Sequence, residues 1–295
     1  TLTIKTSNRQ GNVRTTYTYN LKNIDRNATL TRTIVYDTKK TEKENGQVIE
    51  ETSLNTKPTE TIRIDNTIYT LSSYEFTNSN IIDPQPAIDY YAGNFGSKKV
   101  YRVGTTQNGG TITVSTTGSY YGYDQYWSTA EVIKLKHYIE CERRSGDVVD
   151  RWGGEAQETI SSTMTKLMTY EENEPHQISF EGGYVEMQKN SSILEYSCQL
   201  PEFDKDGIST DNMLTYRDTM QIETYPVYKR MPVPNISHLR GHWAEKDILA
   251  LFSMEVLKGD AESYNPEAYM TRAEFTAAIV QAAREVPQVS SSTSS

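Results

Sequence analysis

The chain has 295 residues, with 39 acidic against 30 basic side chains and a formal net charge of -9. This charge argues against nucleic-acid binding, because a phosphate backbone is repelled unless basic residues are segregated into a stripe, and the sequence has no such stripe. The length suffices for two domains, and no stretch approaches the ~18 consecutive apolar residues of a membrane-spanning helix.

The numbering begins at Thr1 rather than at a methionine. We therefore expect it to start after processing or inside a longer precursor, which is compatible with export.

Residues 1 to about 228 show the period-two alternation of β-strands. Apolar residues alternate with polar ones, as at Leu2 and Ile4 and again at Ile112 and Val114. The 36 threonines and 21 tyrosines suit pleated surfaces with one wet face. Turn signals separate the strands at Asn45-Gly46, Asn108-Gly109-Gly110, Gly153-Gly154 and Gly182-Gly183. This pattern predicts antiparallel β-sandwich-like domains and a mainly β fold.

A weak internal similarity favours two such domains. Residues 62–71 and 178–187 each show a strand, an acidic residue with a turn, and a second strand, 116 positions apart. That spacing is close to the length of one sandwich domain, although hairpins also resemble each other by chance. We expect one domain over residues 1–130 and a second over 131–230.

Beyond Pro234 the apolar spacing becomes helical. The first predicted helix has an apolar side that ends before Gly259, and a loop with Asn265-Pro266 follows. Thr271 and Glu274 have the spacing of a capping box, which predicts the start of a second helix. The apolar side of the first helix comprises Ala244, Ile248, Leu251, Phe252 and Val256, and that of the second comprises Phe275, Ala278, Ile279 and Ala282. We expect a small all-α helix-loop-helix module over 232–286 and a flexible serine-rich tail over 287–295.

Residues 234 to 285 resemble a surface-layer homology (SLH) repeat, the cell-wall-anchoring module of many exported bacterial proteins. The resemblance rests on motifs whose order and spacing coincide within about fifty residues. These motifs are Gly241-His242-Trp243-Ala244, Ile248 and Leu251, Val256 and Gly259, Asn265-Pro266, and Thr271-Arg272-Ala273-Glu274-Phe275.

The resemblance implies non-covalent binding of an acidic secondary cell-wall polysaccharide at the cell surface. It assigns Arg272 as the ligand contact, with Thr271, Glu274 and Trp243 as its neighbours. The residues themselves agree with this role, because a helix N-terminus offers free amides and Arg272 adds a positive charge for a sugar carboxylate. Trp243 can stack on a sugar or fill the core. Family members usually carry three repeats, whereas this sequence shows one. Either the remaining repeats lie beyond Ser295, three chains pool one repeat each, or this copy is a packing element that binds no glycan.

An aromatic cluster surrounds Gly122. Tyr121, Tyr123 and Trp127, if exposed together, would form a platform for sugar binding; otherwise alternate members of the cluster fill a core. The N-terminal strand can pair within its own sheet or add to the edge of a neighbouring subunit.

The remaining candidate sites are weak. Cys141 and Cys198 are either a disulfide or two buried thiols. His238 and His242 have a metal-ligand spacing, but Gly241 lies between them and no metal is expected. An acidic loop at Asp204, Asp206, Gly207 and Asp211 lacks the full pattern of calcium ligation.

The sequence therefore predicts an extracellular, non-enzymatic structural protein of the bacterial surface, a subunit of an S-layer or filament. The alternative is a carbohydrate-binding adhesion protein held by the same module. We expect a homo-oligomer bound to cell-wall polysaccharide, without cofactor, nucleic-acid partner or membrane insertion.

Overall fold

A computed structural model describes residues 1–9, 12–25, 27–104, 109–145, 148–172, 182–205 and 207–283. The fold is mainly β, with a small helical module at its C-terminal end, and this class is confirmed. Among the described residues, no helix has the length and apolar character needed to cross a membrane. The predicted tail over 287–295 lies outside the described residues.

The described residues form thirteen strands, two α-helices and two short 3-10 helices, Ser237–Leu239 and Ala261–Ser263. The strands are β1 (Leu2–Arg9), β2 (Asn12–Asn23), β3 (Ala28–Glu42), β4 (Val48–Leu54), β5 (Thr59–Ile64), β6 (Thr67–Gln85), β7 (Ile88–Val103), β8 (Gly110–Asp124), β9 (Ser128–Ser145), β10 (Val148–Glu171), β11 (Gly183–Phe203), β12 (Ser209–Glu223) and β13 (Val227–Arg230). The helices are α1 (Glu245–Ser253) and α2 (Arg272–Ala283).

All thirteen strands belong to one antiparallel sheet. Its order is β1-β2-β3-β4-β6-β7-β8-β9-β10-β11-β12, with β5 beside β3 and β6 and with β13 beside β11. Strands β8 and β9 pair from Asp124↔Thr129 to Gly110↔Arg143, so the hydrogen bonding is continuous across the boundary predicted near residue 130. The first predicted hairpin is present as β5 and β6, with Asp65 in a left-handed turn conformation. Part of the second, residues 178–181, lies outside the described residues.

One face of the sheet carries most of its rings, and we call it the aromatic face. Tyr36 of β3 lies 4.8 Å from Phe76 of β6 between ring centroids, and Phe76 lies 6.2 Å from Phe95 of β7. Few side chains of the sheet are buried even there. The chain exposes 20321 Å², whereas a globular protein of its 33.5 kDa mass exposes roughly 12,700 Å². The sheet is therefore extended and largely open to solvent.

The helical module is attached at the start of β11. The Met231 amide donates to the Tyr184 carbonyl at 3.0 Å, and the Tyr184 hydroxyl donates to the Lys246 carbonyl at 3.3 Å. Gly183 lies against Val233 so closely that an added Cβ would come within 2.8 Å of it. These contacts place α1 beside the sheet.

Candidate functional site

The module has a small core that positions α1. Its buried members are Ile236, Leu239, Ala244, Ile248 and Phe252. The predicted apolar side of the first helix is thus confirmed at three of these positions. The helix ends at Ser253, earlier than the predicted end near Gly259, because Glu255 adopts a left-handed conformation with φ 59°.

The chain enters α1 through a turn held by side chains. Gly241, with φ 82°, donates its amide to the Glu245 carboxylate at 2.7 Å. His242 Nδ1 accepts the Ala244 amide at 3.2 Å, and its ring centroid lies 5.6 Å from that of Trp243. Trp243 is 86 % exposed, so it does not fill the core and its face is open to a ligand.

The capping box at the start of α2 forms as predicted. The Glu274 amide donates to Thr271 Oγ1 at 3.2 Å, and the Thr271 amide donates to Glu274 Oε2 at 2.8 Å. These bonds to Thr271 hold the pKa of Glu274 below its usual range. The first backbone bond of the helix joins the Phe275 amide to the Thr271 carbonyl at 3.0 Å, which leaves the amides of Arg272 and Ala273 without a helical acceptor.

Arg272 is the first residue of α2, and its side chain is exposed. Within the described part of the chain its guanidinium has no ion-pair partner. A positive charge therefore lies beside free amides at the positive end of the helix dipole, an arrangement that suits a carboxylate or phosphate.

The apolar side of α2 is uncovered. Phe275 is 58 % exposed and Ile279 is 54 % exposed, and none of the described residues of α2 is buried. The second helix is present where the capping box predicts it, but it is not part of the module core. Trp243 and the Thr271–Glu274 box are consequently not joined by any hydrogen bond or ring contact among the described residues.

Residues 235–276 match the family model of the S-layer homology domain. The match covers one repeat of that domain and lies within the segment whose motifs resemble it. The domain indicates attachment to the bacterial cell surface through the cell wall. No curated protein and no solved structure matches the chain.

The two histidines of the S-layer homology domain have separate partners. His238 Nε2 bonds to the Tyr264 carbonyl at 2.9 Å, whereas His242 Nε2 lies 3.5 Å from the Glu267 carboxylate. The i,i+4 spacing therefore does not bring them to one ligand, because the segment around Gly241 is a turn rather than a helix.

A tyrosine groove lies on the sheet face opposite the aromatic face. Tyr121 and Tyr123 of β8 line it together with Tyr90 of β7, which pairs with Tyr123. The groove has a volume of about 810 Å³, and Tyr90 and Tyr121 are each about half exposed. Tyr90 was not among the predicted platform residues, although the pair Tyr90-Tyr91 in β7 resembles the pair Tyr120-Tyr121 in β8.

Trp127 is not part of the groove. It lies in the turn between β8 and β9, where its ring packs edge-on against Tyr126 at 5.0 Å and its carbonyl accepts the Lys166 amide at 2.8 Å. Of the three predicted platform residues, Tyr121 and Tyr123 therefore line the groove and Trp127 does not. Tyr90 is the third tyrosine on this face of the groove.

Cys141 and Cys198 are free thiols. On β10, Cys141 pairs with Trp152 and Cys198 pairs with Ala156. The two cysteines are therefore separated by two strand spacings across the sheet and by four residues along it, which places their Cα atoms roughly 17 Å apart. A disulfide requires Cα atoms within about 7 Å, and the alternative of two unpaired thiols therefore holds in this fold. Burial raises the pKa of Cys141 to about 11, with a further contribution from Asp150.

Proposed function

We propose that the protein is a non-enzymatic structural protein of the bacterial exterior, a subunit of an S-layer or surface filament. Its S-layer homology domain would hold it to the wall by binding an acidic secondary cell-wall polysaccharide. The observation that carries this proposal is Arg272, which has no ion-pair partner among the described residues and lies at the capped start of α2, inside the segment matched by the domain model.

The chemistry of this binding follows from the helix start. An acidic sugar would accept hydrogen bonds from the Arg272 guanidinium and from the amides of Arg272 and Ala273, and charge-assisted bonds of this kind are stronger than neutral ones. The capping box keeps Glu274 turned toward Thr271, at 2.8 Å from its hydroxyl, and thereby away from the anion. Trp243 would contribute a stacking surface to a neighbouring sugar ring.

Anchoring is tested by co-sedimentation of the full chain with purified cell-wall sacculi. We expect Arg272→Ala to lose at least tenfold in retention, because the only charged donor of the proposed contact is removed. Arg240→Ala is the matched control, since Arg240 is also an exposed arginine of the domain. Sacculi stripped of their polysaccharide should retain neither parent nor variant. Equal retention of Arg272→Ala and the parent would reject the assignment of this residue.

The structural role rests on the sheet. Its strands are joined by long backbone ladders, such as the eighteen pairs between β9 and β10 from Val148↔Ser145 to Thr165↔Ser128, and such ladders distribute a load over many hydrogen bonds. Negative-stain electron microscopy of the purified chain should show sheets or filaments. Dispersed single particles at high protein concentration would contradict the structural role.

The second candidate is a carbohydrate-binding adhesion protein held by the same domain, and the tyrosine groove favours it. Two half-exposed tyrosines beside Tyr123 offer flat faces on which sugar rings stack. On a glycan array, Tyr121→Ala and Tyr90→Ala should each abolish binding by this groove. Trp127→Ala should leave it unchanged, because Trp127 lies outside the groove. Binding that survives both tyrosine substitutions would exclude the groove as a sugar site.

A further inference from the structure

The two ends of the sheet are open edges. Strand β1 pairs only with β2, and β12 pairs only with β11, among the described strands. Every residue of β1 from Leu2 to Asn8 is exposed, and so is every residue of β12 from Asp211 to Glu223. Natural proteins rarely leave long edges unprotected, because the unpaired backbone groups bind another strand.

Apolar side chains lie along both edges on the same face of the sheet. Leu2 and Ile4 of β1 are 51 % and 54 % exposed, and Ile4 pairs with Tyr17 of β2, whose ring packs against Tyr36 on the aromatic face. On β12 the exposed apolar residues of this face are Leu214, Tyr216, Met220 and Ile222. Tyr216 belongs to the aromatic face because it ends the cross-strand row Phe76↔Ser97↔Thr116↔His137↔Ala156↔Cys198↔Tyr216.

The backbone groups that point outward can be identified on each edge. The Asn20 amide donates to the Thr1 carbonyl at 2.8 Å, so this pair is a hydrogen-bonded one. Bonded and non-bonded pairs alternate in an antiparallel ladder. The amides and carbonyls directed to the open edge of β1 are therefore those of Leu2, Ile4, Thr6 and Asn8.

Strand β12 shows the same alternation of inward and outward groups. The Thr224 amide donates to the Asn190 carbonyl at 3.1 Å, and the register continues through Ser191↔Glu223. The even-numbered residues of β12 thus bond to β11. Its outward groups are those of Met213, Thr215, Arg217, Thr219, Gln221 and Glu223. Of these, the Thr219 amide donates to the Asp218 carboxylate at 2.8 Å.

The strand order fixes the direction of the two edges. Eleven strands lie on the path from β1 to β12, and each is antiparallel to its neighbours. Because eleven is odd, β1 and β12 run in the same direction. A second copy added with its aromatic face on the same side would therefore place its β1 parallel to β12 of the first copy.

Charge distinguishes the possible pairings. Strand β1 contains Lys5 and Arg9 and no acidic residue, whereas β12 contains Asp211, Asp218 and Glu223 with Arg217 as its only basic residue. By sequence the two strands thus carry opposite formal charges, although Glu223 also pairs with Lys189 of β11 at 3.2 Å. Pairing of β1 with β1, or of β12 with β12, would oppose like charges, while pairing of β1 with β12 joins opposite ones.

We propose that copies of this chain polymerise head to tail by pairing β12 of one copy with β1 of the next in a parallel ladder. This proposal rests on the proposed structural role and specifies the contact between neighbouring subunits. A contact between two different edges leaves one of each edge free at the ends, so it continues into a filament rather than closing as a dimer. The aromatic face and its apolar edge residues would be continuous along that filament.

Two proline variants of the full chain test the edges separately. Thr6→Pro and Thr215→Pro each remove an outward amide and no bond to the neighbouring strand, and proline is tolerated at such edge positions. Thr6→Val and Thr215→Val retain the amide and are the matched controls. We expect the parent and both valine variants to form polymers by light scattering and negative-stain microscopy, and each proline variant alone to be monomeric.

The decisive measurement is the mixture of the two proline variants. Together they supply one intact β1 edge and one intact β12 edge, so an equimolar mixture should give a species of twice the monomer mass and nothing larger. A mixture that stays monomeric, or one proline variant that still polymerises, would overturn the proposal. Ile4→Pro repeats the β1 test at another outward amide, and unchanged far-UV circular dichroism verifies that each variant is folded.

The strand direction is read in the same mixed dimer. Spin labels at Thr3 or at Ser7 of one copy are combined with a label at Glu223 of the other, in a background with Cys141→Ser and Cys198→Ser. A parallel pair places Ser7 nearer than Thr3 to Glu223, and the opposite order would reject the parallel pairing. Sacculus retention of the monomeric proline variants tests anchoring independently, so failure of the edge contact is distinguishable from failure of the wall-binding role.

Discussion

Arg32 of β3 forms an ion pair with Glu60 of β5, with Nε and Oε2 2.7 Å apart, and its Nη2 donates a hydrogen bond to Oε1 at 2.9 Å. The Glu60 carboxylate is fully buried, and it also accepts hydrogen bonds from Tyr101 at 2.6 Å and from Lys99 at 3.2 Å. One carboxylate thus joins β3, β5 and β7 on the aromatic face. The positive charges of Arg32 and Lys99 are compensated by Glu60 only while its carboxylate is ionised.

Substitution of Glu60 by glutamine should destabilise the sheet. Removing one partner of a buried charge network leaves Arg32 and Lys99 without compensation, and such losses are about 3–5 kcal/mol in unfolding free energy. Urea denaturation followed by tyrosine fluorescence measures the change. Asp37→Asn is the control, because its ion pair with Arg14 is exposed and we expect no measurable effect. Equal stability of Glu60→Gln and the parent would show that the network does not stabilise the fold.

The same residue predicts loss of stability in acid. Burial alone would raise the pKa of Glu60, but the Arg32 hydrogen bond and the Lys99 charge outweigh it and hold the pKa below its ordinary value of 4.5. A lowered pKa in the folded state means that stability is present above the ordinary value and is lost as the pH falls through the folded one. Unfolding free energy should therefore decline below pH 4.5, by at most about 1.4 kcal/mol per pH unit for this proton.

Glu60→Gln separates this effect from that of the other carboxylates. The parent should lose more stability than the variant between pH 4.5 and 2, so their unfolding free energies should converge. Parallel curves over that range would assign the acid sensitivity to other groups.

The sequence predicted the strands, α1 and the capping box well, because each depends on a local pattern. Alternation at Leu2 and Ile4 indicates a strand whether or not a second sheet packs against its apolar face. The pattern therefore could not reveal that the strands form one open sheet. The burial of Glu60 was missed for the same reason, since an acidic residue in an alternating strand is expected to face solvent. The exposure of Phe275 depends on what α2 packs against, and residue spacing does not contain that information.

Gly118 of β8 should not tolerate a side chain. It pairs with Phe95, whose ring lies over the glycine in direct contact with the position of a Cβ, and Leu135 lies 2.8 Å from that position on the other side. Gly118→Ala should cost about 1–3 kcal/mol, as overpacking does elsewhere. Gly96→Ala is the matched control, because its Cβ would meet Thr77 at an ordinary 3.5 Å, and it should be neutral or stabilising by up to about 1 kcal/mol. Thermal unfolding of both variants measures the difference, and similar midpoints would contradict the close contact.

The two cysteines should behave as separate thiols of different reactivity. Denatured protein treated with iodoacetamide without reductant should gain two carbamidomethyl groups by mass spectrometry, since no disulfide joins Cys141 to Cys198. In the folded state at pH 8, Cys141 should react the more slowly of the two, because it is buried and burial raises its pKa to about 11. Cys198→Ser leaves Cys141 alone and should show only the slow reaction. A denatured chain that gains no label until reductant is added would contain the disulfide and would contradict the placement of β10 between β9 and β11.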